Sequence, residues 1–200
     1  MYKNTDNGYE LEQKNLLLIV TATEVVLLLV ALLWGFLAEI NPFNCLSFDL
    51  KDIFIGIIGA MLLLAVNFLS INVFSKYIPF FKHLKNAYSE VCALCTDISL
   101  QNAFIMAVLS GFVEELFFRG ILQPQFGIII SSIVFGFFHI GGKKTFYYGI
   151  YTIFIGLYLG WLFIFTGNLL TCVIVHFLNN FLAFPYMRYY YKKYIKGQLD

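Results

Sequence analysis

Six blocks of nearly unbroken apolar sequence, near residues 16–40, 53–74, 98–123, 127–141, 146–165 and 168–187, constrain this chain more than any other feature. About 20 apolar residues are needed for a helix to cross the hydrocarbon of a bilayer. Inside that hydrocarbon every backbone polar group must find its partner within the protein. The sequence therefore predicts an all-α, multi-pass transmembrane bundle of about six spans. The fourth block is short for a perpendicular crossing, so it reads as a half-length helix or as one that begins before Phe126. Charged residues make up only 12% of the chain, against roughly 25% in soluble domains. A net charge of +1 gives no basis for binding nucleic acid. The polar stretch Ser75–Asp97 has the character of an amphipathic surface helix. With no internal repeat and no low-complexity linker, residues 1–200 are expected to form a single integral-membrane domain.

The basic residues predict orientation, because lysine and arginine accumulate on the cytoplasmic side. Of the 13 present, Lys3, Lys14, Lys76, Lys82, Lys85, Lys143, Lys144, Arg188, Lys192, Lys193 and Lys196 fall on one side of a six-span arrangement. Lys51 and Arg119 are the remainder, so both termini are expected in the cytoplasm. The mixed charge of Met1–Asn15 and the length of the next apolar block do not resemble a cleaved signal. The aromatic and basic tail around Tyr186–Lys196 suits interfacial anchoring. Four cysteines, Cys45, Cys92, Cys95 and Cys172, are not expected to form a disulfide framework, and Cys92-x-x-Cys95 has no second pair to complete a metal site.

A charge inside an apolar span is costly unless it is paired or hydrated, and it is a functional candidate by default. The spans contain Glu24, Glu114, Glu115, Arg119, His139 and His176, joined by the amide of Asn180. Glu115 and Arg119 are four residues apart, as are His176 and Asn180, so each pair shares a helix face. Glu114 is turned about 100° from Glu115. This predicts a division in which Arg119 neutralises Glu115 while Glu114 projects into a cavity. Such a Glu–Arg pair also serves packing or assembly, and Asn180 could tie helices together. Asn179 is expected to point away from the site, and Glu24 receives no role.

Pro124 and Gly127 mark a turn between the third and fourth blocks. Glu114 lies twelve residues before Phe126 and His139 twelve after Gly127. Both would then sit about 18 Å from the turn, at one level. His176 and Asn180 fall at a similar depth in the last block, in a cavity expected nearer the cytoplasm. A glutamate and a histidine can hold and deprotonate a water. A second histidine and an asparagine can donate hydrogen bonds to a developing oxyanion. Ser110, Ser131 and Ser132 are not placed as nucleophiles; their hydroxyls are expected to bond back to backbone carbonyls.

The motifs Glu114-Glu115-x-x-x-Arg119, Phe135-x-x-x-His139 and His176-x-x-x-Asn180 resemble the three signatures of the CPBP family. These are the CAAX-prenyl-protease-like and bacteriocin-processing intramembrane endopeptidases, also called Abi. The wider phrases "EELFFRGILQ" and "SSIVFGFFHI" fit as well, and the resemblance covers about residues 100–183 within a motif-bearing core of about 98–187. It implies a multi-pass cell-membrane protease in which Glu114 and His139 activate water. His176 and Asn180 would form the oxyanion site, with Glu115 and Arg119 supporting. The substrate would be a peptide precursor, a membrane protein or a C-terminal CAAX-like segment, and the small core points to a prokaryotic source.

A metal-independent mechanism is expected, with no cofactor. A zinc ion at Glu114, His139 and His176 is the alternative, weakened by the lack of an HExxH helix. The rival function is a non-catalytic bacteriocin self-immunity or receptor-interacting protein. A proton relay or small transporter is a third. Partners beyond a peptide substrate and the bilayer, including a second copy of the chain, are not indicated by the sequence.

Overall fold

The computed structural model describes residues 6–96 and 98–195, with side chains from residue 16 onward. Among these residues there is no strand. The helices are α1 (Asp6–Leu37), α2 (Leu50–Asn72), α3 (Pro79–Leu94), α4 (Leu100–Phe117), α5 (Gln123–Phe138), α6 (Phe146–Thr166) and α7 (Leu169–Tyr190). Five helical stretches are long and apolar enough to cross a membrane: Leu16–Leu37, Leu50–Lys76, Leu100–Phe138, Lys143–Thr166 and Leu169–Ile195. Their outward residues include Leu18, Ile19, Phe36, Phe54 and Phe165, each more than half exposed. An apolar surface of this extent is expected only against lipid. The chain is a membrane protein.

Five stretches account for the six sequence blocks, because the blocks at 98–123 and 127–141 form one helical run, folded back on itself. A straight helix from Leu100 to Phe138 would be about 58 Å long. The reversal falls at Gly127, whose φ of 79° and ψ of 168° break the helix at the position expected for the turn. A positive φ of this kind favours glycine, which has no Cβ to clash. After Gly127 the return arm is only about 16 Å long, the half-length helix anticipated from the short fourth block. Ser131 Oγ, on that arm, donates to the Phe118 carbonyl at 2.7 Å and fixes the hairpin's register. Between α4 and α5 the backbone makes one π-helical turn, Phe118–Leu122, that contains Arg119. Such single wide turns recur at functional sites.

Helix starts follow local capping chemistry. Asp49 accepts from the Lys51 N–H at 2.8 Å to begin α2, and Ser99 accepts from Asn102 at 3.1 Å to begin α4. Asn168 caps α7 by accepting from Leu170 at 3.0 Å. The same amide donates to the Ser47 carbonyl at 2.8 Å and to Asp52 at 2.9 Å, tying the α6–α7 turn to the α1–α2 connection.

Two packings place the candidate site. On α1, Glu24, Leu27 and Ala31 are buried on one face, and Leu27 and Ala31 pack with Val113 and Phe117 of α4. On α4, Gly111 lies so close to α7 that an added Cβ would come within 2.9 Å of the Phe177 backbone nitrogen. That close approach sets α4 beside α7 one turn before Glu114 and Glu115. Helix α3, the predicted surface segment, contributes Leu84, Tyr88 and Cys92 to a buried apolar cluster with Met106 and Met187. Of the basic residues used to predict orientation, Lys3 and Lys196 lie outside the described residues, as does the Lys14 side chain.

Candidate active site

The wide turn after α4 and the close α4–α7 packing put two different environments around two adjacent glutamates. Glu115 is fully buried, and its Oε1 accepts from Arg119 Nη1 at 2.9 Å and from His176 Nδ1 at 2.7 Å. Arg119, itself 1% exposed, also donates from Nη2 to the Gly156 carbonyl at 3.0 Å, and its guanidinium lies 4.5 Å from the centroid of the Phe135 ring. An arginine cannot shed its charge in a protein, so burial requires this anion and these partners. The Glu115–Arg119 pair expected from four-residue spacing is present. The contact with His176 ties it to α7.

Glu114, one residue earlier, faces a cavity of about 610 Å³. His139 Nε2 lies 3.9 Å from Glu114 Oε2. At that distance the two groups are too far apart for a direct hydrogen bond and near enough for one water beside them to bond both. His139 Nδ1 lies 2.8 Å from the Phe135 carbonyl. A carbonyl only accepts, so Nδ1 carries a hydrogen and Nε2 of the neutral ring presents its lone pair towards Glu114. Residues twenty-five positions apart thus meet at one depth, as the turn at Gly127 predicts.

His176 and Asn180 take different positions around this centre. His176 is 5% exposed, is not among the residues lining the cavity, and bonds Glu115. The Phe135 ring packs against both histidines, 4.7 Å from the His139 ring centroid and 5.9 Å from that of His176. Asn180 lines the cavity, and its Nδ2 donates to Ser110 Oγ at 3.0 Å.

Three features depart from the sequence expectations. Asn179 does not turn away: it lines the cavity and donates to Asn180 Oδ1 at 3.1 Å. It also accepts from Asn67 Nδ2 at 2.8 Å, and Asn67 in turn accepts from the Tyr151 hydroxyl at 2.8 Å. A line of side-chain hydrogen bonds therefore runs from α6 through α2 to Asn180. Ser110 bonds Asn180, and Ser131 bonds across the hairpin; only Ser132 bonds back along its own helix, to Ile128 at 2.7 Å. Glu24 lines the same cavity as Glu114. The signal for Asn67 and Glu24 was their polarity within apolar blocks, while Ser110 carried no distinguishing mark.

Among the described residues, no three His, Cys, Asp or Glu side chains gather in a group that could hold a metal ion.

Comparison with known proteins points to the same segment. Residues 97–182 match the family model described as Type II CAAX prenyl endopeptidase Rce1-like. A Bacillus subtilis (strain 168) protein described as "Uncharacterized protein YpbD" is 30% identical over 80 residues, which is 40% of this chain and 42% of the relative. The match therefore spans less than half of that relative's length. No solved structure matches.

Proposed function

We propose, with residues 97–182 as a CPBP-family core of the Rce1-like kind, that this membrane protein is an intramembrane endopeptidase. The observation that carries the reading is the separation of 3.9 Å between Glu114 Oε2 and His139 Nε2 at the wall of the cavity. A water held by both groups loses a proton to Glu114 as its oxygen attacks the scissile carbonyl. The proton then passes to the leaving amide nitrogen. Asn180 retains one Nδ2 hydrogen beyond the one given to Ser110 and can direct it at the oxyanion. His176 already gives its Nδ1 hydrogen to Glu115, so donation to the oxyanion from Nε2 is a role of the imidazolium form. Arg119 balances Glu115 and is a supporting residue. No metal or cofactor enters this scheme.

The substrate is proposed to be a peptide precursor or the C-terminal segment of a membrane protein, cut near the cytoplasmic face, with both termini of the enzyme in the cytoplasm. The 200 residues are proposed to act as one domain in the membrane of a prokaryote. The largely apolar lining of the cavity, with Leu64, Met106 and Leu182 among its walls, supports a hydrophobic segment as occupant.

The test is purified protein in lipid nanodiscs against a quenched-fluorescence peptide library. Cleavage is expected from the wild type and from neither Glu114→Ala nor His139→Ala at equal folded yield. Equal cleavage by both variants would sink the assignment. A role in bacteriocin immunity that survives both substitutions would favour the non-catalytic alternative.

A further inference from the structure

Glu24 interrupts the face of α1 that carries Leu27 and Ala31 onto α4. Its side chain is 6% exposed and lines the same cavity as Glu114, one turn along α1 from Leu27, which packs with Val113, the residue before Glu114. Among the described residues, no N–H or other donor reaches Oε2 of Glu24 or Oε2 of Glu114. Ionised carboxylates only accept, so two of them together have no hydrogen to share unless one is protonated.

The surrounding charges do not balance a second anion. From α4, the charge of Arg119 is taken up by Glu115. From α5 comes His139, and from α7 comes His176 with its Nδ1 committed to Glu115. From α6 come the phenols Tyr148 and Tyr151, from α3 come Tyr88 and Cys95, and from α2 the neutral amide of Asn67. Like charges confined in one low-dielectric site cannot both form near neutral pH, and their protons leave in two coupled steps.

We infer that Glu24 and Glu114 form a carboxyl pair that shares one proton, which makes Glu24 a positioning residue for the carboxylate facing His139. With the proton on Glu24, its O–H donates to Glu114, and the pair carries a single negative charge. When Glu114 takes the proton of the attacking water, the pair holds two protons. Transfer of one to the leaving nitrogen returns it to one. The catalytic meaning rests on the endopeptidase reading, whereas the shared proton does not.

The test is pH-difference infrared spectroscopy of the carboxyl C=O band on the full chain in nanodiscs, with no substrate. The double variant Glu24→Gln/Glu114→Gln serves as the background. The wild type is expected to keep one of the two carboxyls protonated at neutral pH and to titrate in two separated steps. Glu24→Gln and Glu114→Gln should each leave one step, lying at least about one pH unit below the upper wild-type step. If the two single-variant titrations simply sum to the wild-type curve, the pair is overturned. Ionisation of both carboxyls at neutral pH overturns it equally. Should either glutamine variant fail to yield folded protein, Glu24→Asp is read instead, with the two steps expected to move closer together and an unchanged separation counting against the pair. Coupling without any peptide cleavage would leave the pair standing and sink the endopeptidase reading alone.

Discussion

Adjacent glutamates with opposite environments should respond oppositely to truncation. In Glu115→Ala, Arg119 loses its 2.9 Å partner and His176 its 2.7 Å partner. The guanidinium keeps the Gly156 carbonyl at 3.0 Å and the rings of Phe135 at 4.5 Å and Phe118 at 6.0 Å, with its Nε already lacking a partner among the described residues. Removing one member of a buried ion pair costs about 3–5 kcal/mol, because the other charge stays buried without compensation. The retained cation–π contact, worth up to about 2 kcal/mol when desolvated, favours the lower end of that range. About 3 kcal/mol is a change of more than a hundredfold in the ratio of folded to unfolded protein. Glu114→Ala removes no partner of a buried cation and costs at most the one hydrogen bond proposed from Glu24, so its effect should be within about 1 kcal/mol of zero. Equilibrium unfolding in mixed micelles, followed by circular dichroism and tryptophan fluorescence, measures both. A Glu115→Ala protein as stable as the wild type would refute the brace, as would a Glu114→Ala loss of equal size.

Gly111→Ala places a methyl group within 2.9 Å of the Phe177 backbone and must part α4 from α7; about 1–3 kcal/mol of stability should be lost, measured in the same micelles. Burial pushes the Cys92 thiol up to about 12 and the Cys95 thiol up to about 11. Because a raised value keeps the thiol protonated, a thousandth or less, roughly, of either is thiolate at pH 8; maleimide labelling of folded protein, mapped by mass spectrometry, should therefore modify the partly exposed Cys45 ahead of both. Asn179→Ala cuts the hydrogen-bond line from Asn67 to Asn180. It should lower kcat several-fold on a cleavable peptide while costing only about 1 kcal/mol in stability, since single interhelical bonds in membranes are weak.

The sequence was most informative where a single physical constraint dominated. Long apolar blocks meant helices, Gly127 meant a reversal, and equal counts on either side of it brought Glu114 and His139 to one level. Spacing of four made Arg119 the partner of Glu115. It could not show that His176 shares that carboxylate, because the contact depends on how α7 rotates against α4, and that is set by Gly111 and the packing around it. Asn179 was misread for a related reason. A rotation of about 100° from Asn180 turns it away from one helix but towards Asn67 on another. Glu24 stood out as a charge in an apolar span, yet no spacing rule links α1 to α4 across ninety residues.

Comparative mass spectrometry of membrane-associated peptides, in cells carrying either the wild type or Glu114→Gln at matched abundance, decides whether Glu114 drives peptide cleavage. A set of cleaved peptides, with ends at apolar membrane-proximal segments, should be present with the wild type and missing with the variant. Identical peptide sets in the two cell lines would contradict that role.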